Sequence, residues 1–167
     1  GNPIMINVDE SYRLGLELSA GIKLFKNLRI GGNATLSKNK ISNFTEYIDN
    51  WDNWETGEQE SNNLGETDLA FSPNIIANTN ITYNAFKNFS AEFLSKYVGK
   101  QFIDNTSNNE RSIDPYFVND LKLTYKLQTN LIKEIGFSIL INNIFNHEYE
   151  SNAWVYRYIT GGNEYTM

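Results

Sequence analysis

Between Glu46 and Asp68 the chain places eight carboxylates, at 46, 49, 52, 55, 58, 60, 66 and 68, with no lysine or arginine among them. Trp51 and Trp54 stand in the same segment. Indole rings stack on sugars, chelates or cations, and carboxylates attract cations, so Trp51, Trp54, Asp49 and Asp52 are candidate ligand-loop residues. The run Asp49-Asn50-x-Asp52-Asn53 offers the hard oxygen donors that calcium takes. It lacks the glycine and the terminal glutamate of an EF-hand loop, so no metal centre is assigned to it. Without a ligand, the segment reads as a solvated loop whose like charges repel, and residues 46–66 are expected to be the most mobile internal stretch. Arg111 is a further ligand candidate in a second polar segment, 103–114. Its plainer reading, with Asp104 and Asp114 nearby, is a salt bridge at a loop end.

Other chemistries are narrowly bounded. The 167 residues contain no cysteine and one histidine, His147, which removes thiolate sites and multi-histidine metal centres and makes a histidine-dependent triad a poor fit. No nucleophile–base pair and no converging carboxylates on adjacent strands are evident, so an enzyme is not expected and no cofactor is implied. A net charge of −6 argues against nucleic acid as a partner, because a phosphate backbone selects a basic surface. Hydrophobic residues make up 40% of the chain and aromatics 14%, too many for a disordered segment.

The elements that would position these residues are strands. From Tyr12 the even positions run Tyr12, Leu14, Leu16, Leu18, Ala20, Ile22, Leu24, against Arg13, Gly15, Glu17, Ser19, Gly21 and Lys23 between them. After Lys26-Asn27, Leu28, Ile30, Gly32, Ala34 and Leu36 alternate with Arg29, Gly31, Asn33, Thr35 and Ser37. This period of two predicts a hairpin of residues 11–25 and 28–42, its apolar positions sharing one face. The pattern recurs over Phe71–Tyr83, from Phe89 to Tyr97, from Phe117 to Leu127, and from Ile135 to Phe145. Short turns near 26–27, 85–88 and 128–133 alternate with long polar segments near 43–68, 103–114 and after Phe145. That is an antiparallel up-and-down meander with one smooth and one elaborated end. Its strands exceed both the usual five or six residues of a soluble sheet and the roughly 9–11 that cross a bilayer. Phe25, Tyr83, Phe86, Phe89 and Tyr125 gather at the smooth end, as in an aromatic girdle at a membrane interface.

A strand that is apolar on one face fits a membrane barrel, with lipid outside and a polar lumen, or a soluble sandwich, with a second sheet over the apolar face. The sandwich would be a glycan-binding module with Trp51, Trp54 and Trp154 as stacking platforms. The two readings differ in whether the even positions of 12–24 are exposed or buried.

Three segments carry a family resemblance. Lys96-Tyr97-Val98-Gly99-Lys100-Gln101-Phe102, Asp104-Asn105-Thr106 and Ile113-Asp114-Pro115-Tyr116 resemble TonB-dependent outer-membrane receptors of the Bacteroidetes type. Asn142-Asn143-Ile144-Phe145-Asn146 with Tyr149 is similar to that family's Asn-Leu-Phe-Asn-x-x-Tyr segment. Tyr12-Arg13-x-Gly15-x-Glu17-Leu18 is similar to its Arg-Gly-x-Glu-Leu strand. The similarity spans about residues 7 to 160. It implies a transmembrane β-barrel of the 22-strand type, filled by an N-terminal plug, with residues 1–167 a single segment forming roughly the last third and lacking the final strand. It further implies a bacterial outer-membrane location, lipid around the wall, coupling to the TonB complex through the plug, and uptake of a scarce ligand, with iron–siderophore complexes favoured over glycans.

Overall fold

The computed structural model describes residues 8, 10–53 and 55–167. Trp54, one of the candidate ligand residues, lies outside them. Eleven strands follow in chain order among these residues. They are β1 (Ser11–Phe25), β2 (Leu28–Asn50), β3 (Gln59–Asp68), β4 (Ile75–Phe86), β5 (Phe89–Val98), β6 (Gln101–Phe102), β7 (Ser112–Ile113), β8 (Tyr116–Leu127), β9 (Ile135–Ile141), β10 (Arg157–Thr160) and β11 (Asn163–Thr166).

The expected hairpin is present, and its register pairs like with like. Leu16 lies opposite Leu36, Leu18 opposite Ala34 and Ile22 opposite Ile30, while Glu17 faces Thr35 and Ser19 faces Asn33. Cross-strand neighbours share a face, so each match extends an apolar or a polar row across the sheet. β4, β5, β8 and β9 continue the rows antiparallel. Ile30, Ile81, Phe93, Leu121 and Ile141 form one apolar row. Asn33, Asn78 and Lys96 lie in a row on the other face. The sheet curls as a half-barrel. Two shallow cavities of about 350 and 420 Å³ open on the polar face, both lined by Lys96 and Asp120, as on the concave side of a curled sheet.

The apolar face is uncovered. Leu14 is 71% exposed, Leu16 56%, Leu18 55% and Ile22 58%. A two-sheet sandwich would bury these side chains, and among the described residues no second sheet covers them. An uncovered apolar face of this kind is what a membrane barrel turns outward, and what an ordinary soluble monomer does not leave open. At the smooth end three of the five expected aromatics, Phe86, Phe89 and Tyr125, are successive cross-strand partners and Phe137 extends their row, while Phe25 and Tyr83 both lie opposite Leu28.

Two expectations are corrected. The segment 43–68 is no free loop. β2 runs on to Asn50, turns through a 3-10 turn at Trp51–Asn53, and returns as β3, with Glu46 opposite Asn62 and Asp49 opposite Gln59. Pairing shifts at Phe44, where Gly65 takes φ +69° in β3, a conformation that glycine adopts without strain. Like charges do not open this hairpin, because Glu46, Asp49, Asp52, Glu66 and Asp68 are met by partners outside residues 46–66. The strand expected over Phe71–Tyr83 begins only at Ile75. Phe71 lies in the preceding connection with φ +49°, its N–H donating to the Phe102 carbonyl, and Pro73 has no N–H to give a ladder.

Candidate functional site

The acidic hairpin, the loop between β5 and β8, and the C-terminal β10–β11 hairpin meet at the elaborated end. The loop is anchored first. Ser107 Oγ accepts from the Asp68 N–H at 2.6 Å, and Asn105 Oδ1 accepts from the Ala70 N–H at 2.8 Å. This holds Arg111 with only 7% of its surface exposed. Its guanidinium meets Asp104 at 2.8 Å and Glu46 Oε1 at 3.1 Å. Glu46 Oε1 also accepts from Arg157, which in turn donates to Glu164. The result is an alternating chain, Asp104–Arg111–Glu46–Arg157–Glu164, across three segments. Burial pushes the Glu46 carboxyl up, but the hydrogen bonds from Arg157 and Arg111 outweigh it and hold the group below its ordinary value. The loop-end salt bridge read from sequence is therefore present, with Glu46 as an added partner; Asp114 is exposed.

Three further carboxylates of the acidic hairpin, Asp49, Asp52 and Asp68, have partners of their own. Asp49 accepts from Gln59 Nε2 at 2.6 Å and from the Tyr156 hydroxyl at 2.7 Å. These two bonds, Gln59 first, hold its carboxyl below the usual range. Asp52 receives the backbone N–H groups of Gly161 and Gly162 at 2.7 and 2.8 Å, which lowers its pKa in the same way, Gly162 contributing most. Both glycines have positive φ, +59° and +72°, which turns two successive N–H groups toward one carboxylate. Lys40 pairs with Asp68 at 2.9 Å.

Trp51 stacks on Tyr158, ring centroids 4.1 Å apart and planes 17° off parallel. Tyr158 continues to Tyr165 at 5.5 Å and to Tyr156 at 5.8 Å, and Trp154 lies 6.2 Å from Tyr156. Trp51, Trp154 and Tyr165 remain 48%, 72% and 45% exposed. The array presents a broad aromatic surface with amide and carboxylate edges, a surface able to stack planar groups or sugar rings.

Sequence reasoning placed Trp51, Asp49, Asp52 and Arg111 in two separate loops. The structure brings Trp51, Asp49 and Asp52 together on one hairpin end and ties Arg111 to that hairpin through Glu46. It adds Tyr156, Arg157, Tyr158, Gly161 and Gly162, which were missed. The alternation Trp154-x-Tyr156-x-Tyr158, aromatic at every second position, was the signal available for them. His147 is not near this group; its ring lies 6.3 Å from that of Tyr149.

No curated protein and no solved structure matches the chain. A family model for the TonB dependent receptor-like beta-barrel matches residues 1–146, which hold β1 to β9 and the whole of the exposed apolar face. With a curled antiparallel sheet, lipid-type residues on its convex side and polar residues on its concave side, the chain belongs to the TonB-dependent receptor-like β-barrel family, a family of outer-membrane receptors.

Proposed function

We propose that the chain supplies part of the barrel wall and ligand-facing surface of a receptor for TonB-coupled uptake of a scarce ligand, an iron–siderophore complex being the favoured class. The observation that carries the reading is the family match over residues 1–146. The aromatic array around Trp51 and Tyr158 adds a surface that stacks on the flat groups of a chelate. In this reading residues 1–167 form roughly the last third of a 22-strand barrel of the Bacteroidetes type, as the Lys96–Gln101 and Asn142–Tyr149 motifs suggest. Coupling runs through a plug elsewhere in the protein to the TonB complex. A glycan is the second ligand class, favoured by the row of exposed rings at Trp51, Trp154 and Tyr165, since pyranose faces stack on such rings.

Growth of a strain lacking the full-length receptor, complemented with the wild type or with Trp51→Ala, tests the choice. Loss of growth on iron–siderophore complexes as sole iron source, with growth on glycans intact, supports the iron reading. Loss on glycans alone replaces it with the second class, and loss on neither overturns uptake of both.

A further inference from the structure

In an up-and-down barrel each strand lies beside its chain neighbour. The segment after β9 does not. β9 is one edge of the sheet, yet β10 pairs in parallel with the far end of β2, Tyr158 opposite Asp49 and Ile159 opposite Asn50. β8, β5 and β4 lie between them. From β9 to β10 there are five strand spacings, about 24 Å, and residues 142–156 reach that far with slack, at about 3.3 Å per extended residue. Among the described residues β1 pairs with β2 as far as Ile41, and β10 pairs with β2 beyond that point, at Asp49 and Asn50.

The crossing is pinned at both ends and little between. At its start the Asn143 N–H donates to Asp120 Oδ1 at 2.7 Å, and Tyr149 stacks on Tyr116 with centroids 4.4 Å apart. Tyr116, Val118, Asp120 and Tyr149 line one concave-face cavity, so the segment passes over the upper end of the lumen wall. Asn143 and Asn146 both take φ +49°, two sharp bends before the span. Residues 150–152 and Trp154 are exposed. At the far end the hold is mostly polar: Arg157 on Glu46, Tyr156 on Asp49, and the Gly161 and Gly162 N–H groups on Asp52, with the Trp51–Tyr158 stack, the buried Ile159 and only two residues of backbone pairing beside them.

We propose that residues 142–167 form a strap over the upper lumen wall, with its far end latched to β2 through Glu46 and releasable there. A latch of exchangeable ion pairs, one aromatic stack and two paired residues opens at lower cost than a strand laddered along its whole length. Glu46 is its keystone because one oxygen serves both Arg157 on the strap and Arg111 on the fixed loop. The inference takes from the receptor reading only that the polar face is a lumen, and its test needs no ligand and no transport.

The test uses the full-length receptor in intact cells. Asn50→Cys and Ile159→Cys place thiols at paired positions, and Val118→Cys reports access to the wall by its labelling rate with a membrane-impermeant maleimide. The expected result is a cross-link under mild oxidation, with labelling at Val118→Cys at least tenfold slower in the linked form and restored by reduction. Glu46→Gln, without the lock, should label several-fold faster than the parent. The Asp49→Cys and Tyr158→Cys pair replaces the first should that variant fail to assemble. Equal labelling rates in linked and reduced forms, or no cross-link from either pair in an assembled barrel, overturns the strap. An unchanged rate in Glu46→Gln overturns the latch.

Discussion

The Tyr156 hydroxyl donates to Asp49 Oδ2 at 2.7 Å, joining residues 107 positions apart. The bond raises the Tyr156 pKa and, after the larger effect of Gln59, lowers that of Asp49. The depressed acid contributes stability above its unfolded value of about 3.9, lost as pH falls through the lower folded value. The raised phenol contributes stability below about 10, lost as pH climbs through the higher folded value. Docking of the β10–β11 hairpin is therefore firmest between these limits.

Tyr156→Phe keeps the ring in the aromatic array and deletes this one bond. A single bond of this kind is worth about 1 kcal/mol, so amide exchange at Tyr158 and Ile159 should quicken about fivefold. The alkaline loosening of the hairpin should lose its Tyr156 component in the same variant. Exchange unchanged at both amides would mean that Asp49 is held by Gln59 alone.

Glu46 gives a stronger effect, because its loss leaves the buried Arg111 with Asp104 as its remaining ion-pair partner and Arg157 with Glu164. Glu46→Ala should cost about 2 kcal/mol, less than the 3–5 of a fully orphaned buried charge. The folded-state pKa of Glu46 is depressed, so its contribution is present above the unfolded value near 4.3 and fades as pH falls below it. Denaturant unfolding of the detergent-solubilised receptor should show an acid-labile component that vanishes in Glu46→Ala.

Adjacent residues of β4 should respond in opposite ways to the same charge. Ile81 lies in the apolar row between Ile30 and Phe93, and Asn80 faces the lumen between Gly31 and Leu94. Arginine on the lipid face near the midplane costs about 2–4 kcal/mol. Ile81→Arg should lower unfolding stability in liposomes by that amount, whereas Asn80→Arg should change it little. Equal losses at both positions would contradict the assignment of faces.

The wall was legible in the sequence and the mouth was not, for a physical reason. A barrel strand writes its two environments into alternate residues, so Leu14 to Leu24 and Leu28 to Leu36 disclose the strand, its register and its faces locally. The segment 43–68 follows no such pattern, since its few apolar residues, Phe44, Ile48 and Leu64 among them, stand among carboxylates and amides on both strands. What keeps it folded, Arg111, Tyr156, Arg157 and the Gly161-Gly162 turn, is supplied from far along the chain. Counting carboxylates within the segment therefore overstated its repulsion. The parallel docking of β10 was hidden likewise: it rests on Asp49 and Asn50, more than a hundred residues away, which residue types near 157–160 do not encode.

Residues 1–167, prepared alone, should not behave as a soluble monomer. β9 and β1 lie at opposite edges of the sheet, and each leaves a row of ladder groups without a strand partner among the described residues. The convex face adds Leu14, Leu16, Leu18, Ile22, Phe137 and Ile139, all more than half exposed. Ordinary monomers tolerate contiguous apolar patches of a few hundred Å². A wall of six long strands exceeds that, and the curl of the sheet does not help, because it bends the polar face inward and leaves the apolar face outside. Closing into a smaller barrel, which needs about eight strands, would require the C-terminal hairpin to leave β2 and ladder onto an open edge. Light scattering in detergent-free buffer should show dimers or larger species that bind a hydrophobic dye, and detergent above its micelle concentration should disperse them and abolish the excess dye signal. A monodisperse monomer without dye binding would show that the apolar face packs internally, and hydrogen exchange at Tyr158 and Ile159 would then tell whether the hairpin had left β2 to close the sheet.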